Sequence, residues 1–156
     1  MKNRIRITFF ILFTTYSLFF VIASTLAPVM AHYGQYDLSA KLTSLFIYSC
    51  HQQPDRTFWF LGYPMALCCR CYGVYIGTAI SSIFAIYNKL KINKYLIILF
   101  VLISCIDLYI NYGMGIRVHN TGNITRFVVG IIMGLLITIG INGLLNIKKG
   151  DGSYEN

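Results

Sequence analysis

The sequence predicts an all-α integral membrane protein with four transmembrane helices and one short amphipathic helix at the membrane surface. Composition supports this fold class, because 56% of the 156 residues are hydrophobic and only 12% are charged, whereas soluble domains carry about 25% charged residues. Long stretches without charge also recur along the chain, and a helix needs about 20 apolar residues to cross a bilayer. At this length we expect a single membrane domain, residues 1–147, followed by a polar tail, residues 148–156.

The predicted spans follow the stretches that lack charge. No Lys, Arg, Asp or Glu occurs in residues 7–36, 71–88 or 127–147, and the apolar stretch 95–112 contains only Asp107. Each span should be helical, because lipid cannot satisfy the hydrogen-bonding groups of an open backbone. The predicted transmembrane helices lie roughly at 7–27, 69–88, 95–112 and 126–147.

The first predicted span also has features of a secretory signal peptide. Lys2, Arg4 and Arg6 precede its apolar run, and the sequence VMA at 29–31 suits a cleavage site. The run is long for a signal peptide, so we favour a retained helix. Retention also keeps the number of spans even.

The distribution of basic residues predicts the orientation in the cell membrane. The formal charge is +8, but the basic residues punctuate the apolar runs instead of forming one stripe, which argues for a lipid bilayer and against nucleic acid as the partner. If both termini are cytoplasmic, the positive-inside rule is satisfied and the outer loop, residues 28–68, faces the more oxidising compartment of a prokaryote. The basic residues then on the cytoplasmic side are Lys2, Arg4, Arg6, Lys89, Lys91, Lys94, Lys148 and Lys149.

A short amphipathic helix is predicted within the outer loop. Asp37 can act as its N-cap, and Leu38, Leu42, Leu45 and Phe46 follow at helical spacing. Such a helix lies on a membrane surface with its apolar face in the lipid.

Two of the predicted spans carry pairs of small residues. Gly73 and Gly77 form one Gly-x-x-x-Gly motif, and Gly130 and Gly134 form another. Because this spacing lets helix backbones approach closely in lipid, we expect these helices to pack within the bundle.

The cysteines of the outer loop predict a metal site. Cys68 and Cys71 form a C-x-x-C motif at the mouth of the second span, where we expect them to share one helix face, and Cys50 is followed by His51. These residues supply thiolate and imidazole ligands, which favour zinc, with copper or iron as alternatives. Adjacent residues point in different directions, so Cys50 and His51 cannot both be assumed to bind one ion, and His119 is a candidate substitute.

Two other interpretations of the thiols stay open at this point. A structural disulfide from Cys50 to Cys68 or Cys71 would fasten the outer loop to the second span. Alternatively, the C-x-x-C pair could cycle between dithiol and disulfide as an oxidoreductase that acts on exported proteins. Cys105 lies inside the third predicted span, where a packed, inert cysteine is expected.

A carboxylate within a span indicates a polar layer below the thiols. Asp107 costs about 3 kcal/mol to insert in the membrane and therefore needs a partner. Arg70 and Arg126 lie at the same predicted depth, so either could form a structural ion pair with it. As a weaker alternative function, the arginines could hold an anionic lipid phosphate. Candidate catalytic residues are Asp107, Arg70, Arg126 and Arg56.

Four segments carry a family resemblance: CHQQPDRTF and CCRCYGVYIG, then DLYIN and NITRFVVGIIMG. Together they resemble the signature of a family of small prokaryotic multi-pass membrane proteins that is known only as a domain of unknown function, with the patterns C-H-Q-x-P-x-R-[ST]-F, C-x-R-C-x-G-x-Y-x-G and N-x-x-R-x-x-x-G. The resemblance implies a multi-pass membrane fold and no particular activity. Cys69 departs from the family, which more often has a small residue there, so we leave it out of the site. The matching positions are Cys50, His51, Gln52, Pro54, Arg56, Thr57, Phe58, Cys68, Arg70, Cys71, Gly73, Tyr75, Gly77, Asp107, Asn123, Arg126 and Gly130.

Overall fold

The computed structural model describes residues 2–87, 98, 102, 105 and 121–147. Three of the described helices are long and apolar enough to cross a membrane. The elements, in chain order, are helix α1 (Lys2–His32), helix α2 (Tyr36–Ser44), a 3₁₀ turn (Pro54–Arg56), strands β1 (Thr57–Phe60) and β2 (Tyr63–Cys68), helix α3 (Cys69–Tyr87) and helix α4 (Thr121–Ile147).

The three apolar helices α1, α3 and α4 correspond to the first, second and fourth predicted spans. Helix α1 continues to His32, beyond the predicted end at residue 27. It stops there because Gly34 adopts a left-handed backbone with φ of +78°, and the Gln35 N–H donates to the Met30 carbonyl at 2.9 Å.

The third predicted span, 95–112, lies outside the described residues except at three positions, and the polar tail 148–156 lies outside them as well. Ile98, Leu102 and Cys105 are described, and all three are helical. The Cys105 side chain is exposed, so the expectation that it packs inside the protein was wrong.

The short helix predicted in the outer loop is present as α2. Asp37 is not its N-cap, however, because it lies in the first turn, where its carboxylate pairs with Lys41 Nζ at 2.7 Å. The helix ends at Ser44, and the chain continues in turns. Phe46 is completely buried, whereas Leu38 and Leu45 are exposed. The position of α2 on a membrane surface stays a prediction.

The fold is mostly helical, but the all-α prediction omitted a small antiparallel sheet of β1 and β2. Phe60 pairs with Tyr63, so only Leu61 and Gly62 form the turn. Both have positive φ, +53° and +83°, which is the type I′ geometry that matches the twist of a hairpin. The signal in the sequence is the run of β-favouring residues Thr57–Phe60 before a glycine.

Helix α3 packs directly on α4 through the predicted glycines. A Cβ atom at Gly73 would overlap the backbone carbonyl oxygen of Phe127, and one at Gly77 would overlap that of Ile131. Because both contacts advance along α3 and α4 in the same direction, the two helices run parallel.

The glycines of α4 make the reciprocal contacts. A Cβ at Gly130 would overlap the carbonyl oxygen of Arg70, and one at Gly134 would overlap that of Val74. The prediction that both Gly-x-x-x-Gly motifs serve helix packing is therefore confirmed.

Helix α1 runs antiparallel to α3 and α4. Thr25 Oγ1 hydrogen-bonds the Tyr72 hydroxyl at 3.2 Å, and at the opposite end of the bundle Arg6 Nη1 donates to Asn142 Oδ1 at 3.5 Å. The end where α1 stops and α3 and α4 begin is called the thiol end below.

A hydrophobic cluster fills the thiol end between α1, the turns after α2 and the hairpin. Phe46 meets Phe20 edge to face, with ring centroids 5.2 Å apart, and Phe20 stacks on Tyr75 at 4.9 Å. The buried members of the cluster are Ala23, Ala27, Phe46, Cys50, Ala66 and Leu67. Cys50 is therefore part of the packed core and not of a free loop.

Candidate metal centre

The turns after α2 fix the position of Cys50. Its N–H donates to the Phe46 carbonyl at 2.8 Å, and the residue is only 6% exposed. Gln52 has a left-handed backbone with φ of +50°, and its Nε2 donates to the Thr43 carbonyl at 2.6 Å. The Gln52 side chain thus ties the Cys50 segment to the last turn of α2.

The C-x-x-C motif straddles the junction of strand and helix. Cys68 is the last residue of β2 and Cys71 lies in the first turn of α3, so the prediction that both lie on a helix was wrong. The hairpin pairs Cys68 with Thr57, whose Oγ1 donates to the Gln53 carbonyl at 2.7 Å. The Cys68 N–H donates to the Cys50 sulfur at 3.2 Å, which holds Cys68 beside Cys50.

The three thiols meet at one point. The sulfur atoms of Cys50, Cys68 and Cys71 all lie within 4.8 Å of one another, and all five cysteines are free thiols. Sulfurs around a tetrahedral zinc ion with bonds of about 2.3 Å lie slightly under 4 Å apart. Small side-chain adjustments would therefore let this group hold an ion.

Hydrogen bonds favour the thiolate at Cys50. Contacts of its Sγ with the thiols of Cys68 and Cys71, together with the N–H groups of Cys68 at 3.2 Å and Gln52 at 3.5 Å, hold the pKa of Cys50 well below its ordinary value despite burial. The contact with Cys50 correspondingly raises the pKa of Cys68. A thiolate is the form of cysteine that binds metals.

His51 is exposed on the wall of the cavity beside the thiols. Its ring nitrogens are not part of the three-thiol group. This agrees with the expectation that the adjacent side chains of Cys50 and His51 point in different directions. His51 as a ligand stays a prediction, and His119, the proposed substitute, lies outside the described residues.

A cavity of about 410 Å³ opens beside the thiols. Arg56 reaches it from the 3₁₀ turn, Arg70 from the first turn of α3, and Arg126 from α4, where its Nη1 donates to Asn123 Oδ1 at 3.2 Å. Asp107, the third member of the predicted polar layer, lies outside the described residues. The residues that line the cavity are Ser49, Cys50, His51, Gln53, Arg56, Cys68, Arg70, Cys71 and Arg126.

Several residues that shape the centre had no structural role predicted from the sequence. Gln52 and Thr57 stand in the signature, but only the structure reveals that their side chains bond main-chain carbonyls and so place the cysteines. Ser49 is a further example, because its carbonyl faces the Cys71 sulfur at 4.0 Å. Cys69, left out of the site, is fully buried and not part of the three-thiol group.

Comparison with known proteins places these residues in a family. A family model described as a predicted membrane protein, DUF2085, matches residues 50–139. An uncharacterised protein of Methanocaldococcus jannaschii is 31% identical over 134 residues, 80% of this chain and 84% of that protein. An uncharacterised protein of Methanothermobacter thermautotrophicus is 32% identical over 94 residues, 60% of this chain and 85% of that protein. No solved structure matches the chain.

Proposed function

Because the chain belongs to the DUF2085 family of predicted membrane proteins, and its matched segment begins at Cys50, we propose that it is a membrane protein built around a three-cysteine metal centre. The observation that carries the proposal is the meeting of three sulfurs within 4.8 Å. They come from the turns after α2, the end of β2 and the start of α3. One ion bound by the three sulfurs would join these separate elements.

Zinc is the ion that this set of ligands favours. Zinc is borderline-soft and is bound by cysteine thiolates in closed tetrahedral sites or in open sites with three protein ligands. Three sulfurs leave a fourth position, which His51 or an external ligand would fill. Copper(I) and iron also accept thiolates, so metal analysis decides among them.

Burial adds to the case for a metal. Cys50 lies in the hydrophobic cluster at the thiol end, and a thiolate in apolar surroundings needs compensation for its charge. A bound cation supplies that compensation and links the hairpin to α3. The binding free energy of such an ion then also stabilises the fold.

We also propose four spans with both termini in the cytoplasm and the thiol end outside the cell membrane. Support comes from the parallel course of α3 and α4, which puts Tyr87 and Thr121 at opposite ends of the bundle. In a background without cysteine, a reporter cysteine at Ser39 should react with a membrane-impermeant maleimide from outside, and one at Asn93 should not. Labelling of residue 93 from outside would overturn the orientation.

The metal proposal is tested by elemental analysis of the protein purified in detergent, together with thiol counting. We expect about one zinc ion per chain. Because every thiolate contributes to one centre, Cys50→Ser, Cys68→Ser and Cys71→Ser should each lose the ion and lower stability to a similar degree. Cys105→Ser is the matched control, because this exposed thiol lies outside the group, and it should retain the ion.

The same variants separate a metal centre from a thiol–disulfide oxidoreductase. In a redox pair one cysteine attacks and the other resolves, so Cys68→Ser and Cys71→Ser would behave differently. A wild-type protein without metal, with a reductant-sensitive mixed disulfide in only one of the two variants, would overturn the metal proposal in favour of the redox one.

A further inference from the structure

The cavity beside the thiols has a cationic wall. Arg56, Arg70 and Arg126 lie in three separate elements, yet all three line the same 410 Å³ space. Among the described residues, the lining contains no carboxylate. Guanidinium groups present several donors in a planar fork, which matches the oxygens of phosphate groups.

A second cavity, of about 240 Å³, adjoins the first. Ser49 and Cys71 line both cavities, so both cavities border the three-thiol group. The remaining lining is mostly apolar or aromatic and comes from the membrane-spanning parts of α1, α3 and α4: Phe13, Tyr16, Ser17, Val74, Tyr75, Thr78 and Ile137.

We propose that the arginine-lined cavity binds a phosphate group, and that a membrane lipid supplies it. The phosphate oxygens contact Arg56, Arg70 and Arg126, and the hydrocarbon part of the lipid enters the adjoining cavity between α1 and α3. A cationic space and an apolar space side by side at one end of a membrane bundle match the two ends of an anionic lipid. This ligand goes beyond the metal proposal and does not depend on the identity of the ion.

The test measures binding to the purified full chain in maltoside detergent and phosphate-free buffer. Two probes are titrated by calorimetry: inorganic phosphate and dioctanoyl phosphatidic acid. Both should bind. The lipid should bind at least about tenfold more tightly, because its acyl chains bury apolar surface that inorganic phosphate lacks. Equal affinity for the two probes would overturn the lipid as the source, and absence of binding by both would overturn the phosphate site.

Arginine variants assign the binding to the cavity. Arg126→Gln and Arg56→Gln should each weaken the binding of both probes by about tenfold or more, because each loses charge-assisted hydrogen bonds. Arg126→Lys keeps the charge without the planar fork and should lie in between. Arg56 lies in the 3₁₀ turn, outside the packed helices, so Arg56→Gln provides a second test if Arg126→Gln does not fold.

Controls separate this proposal from general electrostatics and from the metal proposal. Arg4→Gln removes the same charge at an exposed position near the other end of the bundle, and its affinities should equal those of the wild type. Metal content is measured in every sample and should stay unchanged in the arginine variants. Affinities that fall equally in Arg4→Gln, or that do not fall in Arg126→Gln and Arg56→Gln, would overturn the proposed site.

Discussion

The interface between α3 and α4 and the three-thiol region are neighbours built in opposite ways. The interface depends on the absence of side chains, since glycines on each helix touch backbone carbonyls of the other. The thiol region depends on specific side chains, because Gln52 and Thr57 bond main-chain carbonyls and thereby place Cys50 and Cys68. One region is regular and repeats along a helix, and the other joins segments that differ in structure.

The difference teaches which region is ordered by its own packing and which region needs a ligand to be ordered. In lipid, close contact of small residues is a main source of helix association, so the interface should be stiff and independent of any ion. Hydrogen bonds in the thiol region contribute only about 1 kcal/mol each. A ligand shared by the three sulfurs is therefore expected to dominate the order of that region.

Removal of the metal should give the largest difference in response between the interface and the thiol region. Structural zinc sites contribute about 10–16 kcal/mol of apparent binding free energy in small peptides. A strong chelator should therefore increase amide exchange in residues 43–68 and expose the three thiols to alkylation, with little change in residues 127–138. Exchange that rises equally in both segments, measured by mass spectrometry, would contradict the independence of the two regions.

A methyl group at Gly77 should have the next largest effect, this time on the interface. The new Cβ overlaps the Ile131 carbonyl, so the helices must separate, and we expect Gly77→Ala to lower the free energy of unfolding by about 3 kcal/mol. Gly140→Ala is the matched control in α4, because a Cβ there meets nothing within 4 Å. Equal stability of both variants in detergent-titration unfolding would refute the close contact.

Loss of the Gln52 side chain should have a moderate effect that is confined to the thiol region. Gln52→Ala removes the 2.6 Å bond to the Thr43 carbonyl, and we expect a loss of about 1–2 kcal/mol in stability and about tenfold in metal affinity, as for other residues that orient ligands. Gln35→Ala is the control, since the Gln35 side chain is exposed and makes no capping bond. Metal affinity is measured by competition with a chromophoric chelator, and a similar loss in both variants would contradict the positioning role.

The smallest effect is expected at the turn of the hairpin. Gly62 has φ of +83°, and a Cβ added there meets nothing within 4 Å, so Gly62→Ala meets backbone strain and no clash, and should cost about 1 kcal/mol. Gly62→Asn should cost less, because asparagine tolerates the left-handed region. Thermal midpoints of the two variants test this order. An alanine variant at least as stable as the asparagine variant would argue against the type I′ turn.

The sequence by itself determined the three described apolar helices and marked the two whose glycines serve close packing. Charge-free runs mark α1, α3 and α4 because a helix is the one local structure that satisfies its own backbone in lipid. The glycine spacing likewise repeats within one helix and needs no knowledge of the partner. The sequence also singled out Cys50, Cys68 and Cys71 by residue type.

Only the tertiary structure decided how those residues combine. The hairpin put Cys68 at the end of a strand and not on a helix, and it brought Arg56 to the cavity of Arg70 and Arg126. The contacts that build the thiol centre join residues that are well separated along the chain, since the Cys68 N–H donates to the sulfur of Cys50, 18 positions away, and Arg126 reaches the same cavity from α4. Their formation depends on the balance of packing and many weak hydrogen bonds across segments, and local sequence patterns do not encode that balance.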